Sequence, residues 1–87
     1  FAAELDYCLG GTLLSFGRPA EAAARFEAAW RRQPDYLEAH FNHGTALARQ
    51  GRVAEAVAQW REVLRIDPGD PDARQALEGA AARGASP

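Results

Sequence analysis

The chain is 87 residues long, with 47% hydrophobic and 25% charged residues and a formal net charge of −2. That balance is globular rather than disordered, and the length fits a single domain, residues 1–87, with a small core. A mildly acidic chain lacks the basic excess that a nucleic-acid or anionic-membrane surface needs, and no apolar run approaches the roughly 20 residues that span a bilayer.

Every basic residue is Arg, which together with abundant Ala reads as GC-rich, bacterial-type coding. Cys8 is the single cysteine, so an internal disulfide is excluded and the compartment stays open, the cytoplasm being favoured. Because it starts at Phe1 rather than Met, the chain reads as a piece of a longer protein, and the missing signal segment carries no weight.

Residues Ala3 to Phe16 place Leu5, Leu9, Leu13 and Phe16 at helical spacing. Gly10 and Gly11 are poor helix formers, and glycine inside a helix often marks a close approach by a neighbour. Gly17 ends this helix and Pro19 suits the first position of the next. The second helix buries Ala22, Phe26, Ala29 and Trp30, with Glu21–Arg25 and Glu27–Arg31 spaced for outer-face ion pairs. Arg31 and Arg32 suit its C-terminal dipole, and Pro34 stops it.

Asp35 with Glu38 reads as a capping box opening a third helix, Leu37 to Gln50. Its apolar side carries Phe41, Gly44, Leu47 and Ala48. Gly51 and Arg52 end it, and a fourth helix, Val53 to Ile66, buries Val53, Ala56, Val57, Trp60, Val63 and Leu64. The run Asp67–Pro68–Gly69–Asp70 is a turn cluster. Asp70 can cap a fifth helix with Pro71 at its first position, carrying Ala73, Ala76, Leu77 and Ala80. No stretch alternates with period two, so the expected fold is all-α, five antiparallel helices joined by short turns.

The chain repeats itself after 34 residues without a gap. Glu4 falls on Glu38, Gly10 on Gly44, Leu13 on Leu47, Gly17 on Gly51, Arg18 on Arg52, Glu21 on Glu55, Ala22 on Ala56 and Pro34 on Pro68. Phe26 falls on Trp60 and Ala29 on Val63. A helix–turn–helix recurring at this period is the tetratricopeptide signature. The chain resembles the tetratricopeptide repeat (TPR) family as two full repeats, 3–36 and 37–70, with a capping helix 71–83 and a tail 84–87. It departs from the family where Asp6 and His40 replace the usual Trp of the first helix, and where His43 replaces the usual Leu before the glycine. Pairing near His40 and His43 is therefore expected to be looser or more polar.

The resemblance implies a short right-handed α-solenoid whose concave groove is lined by the first helix of each pair. It also implies a non-enzymatic protein-interaction module or scaffold with a peptide or partner protein in that groove, its identity open. The groove positions include Tyr7, Phe41, Asn42, Thr45 and Arg49, with Glu38, Asp72 and Gln75 beside them. Tyr7 and Phe41 would serve as apolar anchors or else pack against their neighbours. The family's clamp for peptide C-terminal carboxylates is not expected: of its basic and amide positions only Asn42 matches, and Asp72 would repel the ligand.

No catalytic or cofactor-binding set is expected. Ser15 has no His–acid partner, Cys8 falls at a position expected to be buried and inert, and Gly10–Gly11 lacks the residues of a phosphate loop. His40 and His43 lack further ligands for a metal. The Arg and Glu residues of the second and fourth helices read as a solvated face. Two repeats are few for such an array, and Phe1, Leu5 and Cys8 have no partner within the chain. This edge is expected to associate with a copy of itself or with upstream repeats. The alternatives are terminal repeats of a larger enzyme, such as a glycosyltransferase or peptidase, used for substrate holding or assembly, and a pure self-association element.

Overall fold

The computed structural model describes residues 2–82. These form five α-helices: α1 (Ala2–Ser15), α2 (Pro19–Arg32), α3 (Leu37–Arg49), α4 (Val53–Ile66) and α5 (Pro71–Ala82). Among the described residues there is no strand. Each helix packs on the next, and α1 also touches α3. The arrangement is the expected all-α helical-repeat solenoid. Phe1 and residues 83–87, hence the N-terminal residue of the expected edge and the expected tail, lie outside the described residues.

The two Gly-Arg turns close with the same pair of bonds. Gly17 and Gly51 sit at φ +73° and +79°, a left-handed conformation that a side chain would strain. Around the first, Gly17 N–H donates to Leu14 O and Arg18 N–H to Leu13 O; around the second, Gly51 N–H donates to Ala48 O and Arg52 N–H to Leu47 O. Each set is the paired closure that satisfies the last carbonyls of a helix. Arg18 then pairs with Glu21, and Arg52 with Glu55, each at 2.7 Å. Glu21 thus turns back to the hinge rather than forward to Arg25.

The core follows the repeat. Ala22, Phe26 and Ala29 of α2 are fully buried, as are Ala56 and, to 1% exposure, Val63 of α4. The aromatic of each second helix lies over the glycine of its first. A Cβ on Gly10 would come within 2.7 Å of the Phe26 ring, and one on Gly44 within 2.6 Å of the Trp60 indole nitrogen. Both distances are far inside van der Waals contact, so glycine is what lets these helices close.

The helix starts differ. Asp70 Oδ1 accepts from the N–H groups of Asp72 and Ala73, capping α5 as expected. The capping box expected of Asp35 does not form, because Asp35 lies one residue too early and Tyr36 occupies the cap position without a side-chain bond. Tyr36 packs instead on Tyr7, with tilted rings whose centres are 5.2 Å apart.

Candidate functional site

The residues expected to line the groove come together only in part. Tyr7 and Phe41 are both half-buried. Tyr7 packs against Phe26 and Tyr36, with ring centres at 5.8 and 5.2 Å, and its hydroxyl accepts from Asn42 Nδ2 at 3.0 Å. Between α1 and α3 these side chains therefore satisfy one another. Thr45 turns its hydroxyl to Phe41 O on its own helix. Arg49, in the last turn of α3, is exposed.

One repeat further on, the same space is open. A depression of about 300 Å³ is lined by Phe41, Ala48, Val53, Trp60, Asp72, Gln75, Ala76, Gly79 and Ala80. A second, of about 210 Å³, is lined by Leu37, Glu38, Phe41, Asn42, Asp70 and Asp72. They share Phe41 and Asp72, and together make a trough between α3 and α5, with Val53 and Trp60 of α4 in its wall. The 34-residue shift explains why it is open here. Ala76 stands where Asn42 stands, Gly79 where Thr45 stands, Gln75 where Phe41 stands and Asp70 where Tyr36 stands. Asn42 and Tyr36 meet Tyr7 of α1, whereas their counterparts Ala76 and Asp70 are smaller and leave the next interval open.

Phe41 anchors the trough because its ring packs on Trp60, centres 6.4 Å apart, and Trp60 Nε1–H donates to Phe41 O at 3.2 Å. The polar rim is acidic: Glu38, Asp70 and Asp72. The Tyr36 phenol beside it is held above its ordinary pKa, chiefly by burial and then by Tyr7, Glu38 and Glu4. Leu37, Val53, Trp60, Asp70, Ala76 and Gly79 were not legible as groove residues from helix periodicity. The one usable signal was the run of smaller residues on α5 under the 34-residue shift.

The histidines occupy a different place, the seam between α2, α3 and α4. His40 and His43 are 3% and 6% exposed, so this pairing is polar but not loose. Trp30 Nε1–H donates to His43 Nδ1 at 2.9 Å, which requires a neutral His43. His40 stacks on Trp30 with ring centres 4.8 Å apart, and its Nε2 lies 2.8 Å from Pro34 O, an acceptor only, so that nitrogen carries a hydrogen. Its Nδ1 lies 3.0 Å from Gln59 Oε1. Burial pushes the His43 pKa down, against a smaller upward pull from Glu27.

Asp6, the counterpart of His40, is also buried, with Arg32 at 3.0 Å and Arg25 at 3.5 Å. Arg25 and Arg32 therefore reach back to α1 instead of alternating with glutamates on a solvated face. Arg31 does pair with Glu27, at 2.6 Å. Cys8, expected to be buried, is exposed. Among the described residues, no three His, Cys, Asp or Glu residues are grouped to hold a metal ion, and no helix is long and apolar enough to cross a membrane.

A stack of helix pairs with glycine-seated aromatics and Gly-Arg hinges defines a helical-repeat protein. The family model described as Tetratricopeptide repeat matches residues 9–71, and the chain belongs to that family. Proteins named FK506-binding protein-like from mouse and human are 32% and 33% identical to it over 69 residues, 79% of this chain. A rat protein of the same name is 32% identical over the same length. The chain spans about a fifth of the length of these curated relatives, 20% in each case. Tetratricopeptide repeats are generally protein-interaction modules, non-catalytic and directed at protein partners.

Proposed function

We propose that this chain is a non-catalytic interaction module that holds a segment of a partner protein in the trough between α3 and α5, with Phe41 as its apolar anchor. The observation that carries this reading is the trough itself, open where Ala76 stands in place of Asn42, whose amide bonds Tyr7 across the preceding interval. Its wall is apolar, its rim is polar, and its length along two helices suits an extended peptide, a division typical of peptide grooves. Among the residues expected from sequence, Phe41 is the contact residue, Asn42 borders the trough, Tyr7 holds Asn42, and Thr45 and Arg49 flank it. Peptides selected from a displayed random library on the wild-type protein test this. Phe41→Ala should weaken the selected peptides about tenfold, the usual effect of losing an aromatic anchor. Selected peptides that bind Phe41→Ala as well as wild type would overturn the reading.

A second reading, self-association through the outer face of α1, is favoured by one specific observation. Leu5 and Leu9 on that helix and Phe16 just past its end are 63%, 46% and 76% exposed. The two surfaces lie on different helices and are compatible.

A further inference from the structure

We infer that the trough takes a basic peptide segment, one Arg or Lys of which lays its aliphatic stem on Phe41 and Leu37 and its cation among Glu38, Asp70 and Asp72. This rests on the peptide-binding reading above and adds the chemistry of the peptide.

The charge arrangement differs between the two faces of the molecule. On α2 and α4 the carboxylates are answered from within the chain: Glu21 by Arg18, Glu27 by Arg31, Glu55 by Arg52 and Glu62 by Arg65. In the trough no side-chain cation among the described residues answers them. The side-chain carboxylates of Glu38 and Asp72 make no hydrogen bond or ion pair among the described residues, and Asp70 uses only Oδ1, to cap α5. Lining residues of the Leu37–Phe41 depression include these three acids and no cation. Glu38 and Asp72 stand in the first turns of α3 and α5 and Asp70 caps α5, so helix N-termini hold these charges in place, and an incoming cation gains a carboxylate partner on more than one side.

Hydrogen-bond capacity points the same way. Asn42 has committed an N–H of its amide to Tyr7, and its Oδ1 remains an acceptor. With Glu38, Asp72 and the second oxygen of Asp70, the polar groups around Phe41 are thus mainly acceptors. Arg and Lys are the side chains that only donate. The apolar ring of Phe41 and the side chain of Leu37 match the methylene stem of either residue, and the Phe41 face also suits a guanidinium. An acidic peptide tail meets three carboxylates and is repelled.

The test uses fluorescein-labelled decapeptides that alternate Leu with Arg, with citrulline (neutral and nearly isosteric) or with Glu, titrated onto the 87-residue chain by anisotropy. The Arg peptide should bind about tenfold tighter than the citrulline peptide, weaken as salt is raised, and outrank the Glu peptide. The Glu38→Gln/Asp72→Asn variant should lose about that tenfold for the Arg peptide and leave the citrulline peptide unchanged. The Glu27→Gln/Glu62→Gln variant changes net charge equally on α2 and α4 and should bind like wild type. Equal binding of Arg and citrulline peptides, or an equal loss in both charge variants, overturns the inference. Phe41→Ala separates the two levels. If it weakens Arg and citrulline peptides alike while the trough carboxylates prove silent, the groove stands and its basic preference falls. If it weakens neither, the groove reading itself falls.

Discussion

At the scale of single residues, the tightest constraint is the seating of an aromatic ring on a glycine. Gly44 and Trp60 illustrate it. The indole is 7% exposed, its N–H is committed to Phe41 O, and a methyl group on Gly44 would lie 2.6 Å from that nitrogen. The ring cannot move aside without losing its bond and its packing. Gly44→Ala should therefore destabilise the chain by about 1–3 kcal/mol, the usual cost of overpacking, read as a lower urea midpoint. Gly11 provides the contrast. It too lies inside a helix, but nothing stands within 4 Å of an added Cβ. Gly11→Ala should stabilise by up to about 1 kcal/mol through helix propensity and a less flexible unfolded chain. A loss of stability at Gly11 would show that helix propensity does not govern that position. The glycines were legible from sequence as places of close approach, and the 34-residue shift, which sets Gly10 and not Gly11 on Gly44, marked the one at the packing position; how near the ring comes was not legible. That depends on where Phe26 lies.

At the scale of elements, the seam of α2 against α3 and α4 is closed by a histidine where the family usually has leucine. His43 accepts the Trp30 indole N–H only while neutral, and burial holds its pKa below the ordinary histidine value of 6.5. The charged and titratable groups acting on it are Glu27 from α2, His40 from α3, and Arg52 and Glu55 at the start of α4. The unfolded chain takes up the proton first as pH falls. The stability contributed by neutral His43 is thus fully present above about pH 6.5 and is lost on acidification through the interval down to the lowered folded pKa. Thermal unfolding from pH 7.5 to 5 should show a falling midpoint in wild type. His43→Leu should be flatter over that range, and at neutral pH it should sit about 1 kcal/mol lower because the Trp30 N–H loses its acceptor. An equally steep fall in His43→Leu would assign the acid sensitivity elsewhere. Sequence comparison within the chain exposes His43 as a departure; it does not reveal that Trp30, 13 residues away, is its partner. Helix periodicity gives the face of a side chain and not its depth.

At the scale of the whole molecule, the helices, their order and their hinges were readable because a 34-residue repeat doubles every local signal. The site was readable only as a set of helix positions. Tyr7 and Asn42 were expected on the groove face, but their mutual hydrogen bond removes them as free contacts, and the opening falls one interval later where α5 carries Ala76 and Gly79. The same repeat logic governs the other edge. On α3, Ala39 and His43 are 0% and 6% exposed; their counterparts on α1, Leu5 and Leu9, are 63% and 46% exposed, and Phe16 reaches 76%. A surface that is interior in one repeat is thus bare in the other, and it is more apolar where it is bare. A contiguous stripe of this kind favours association in water. Sedimentation of the chain over a concentration series should show a mass rising above the 9.4 kDa of one copy. Leu5→Glu/Leu9→Glu should return it to one copy with helicity retained, since both side chains are largely outside the core. Wild type sedimenting at one-copy mass at every concentration would remove self-association from the reading. The trough lies between α3 and α5, away from this stripe on α1, so the Leu5→Glu/Leu9→Glu variant should bind the Arg–Leu peptide like wild type. A parallel loss of both properties would mean that the copies build the peptide site together.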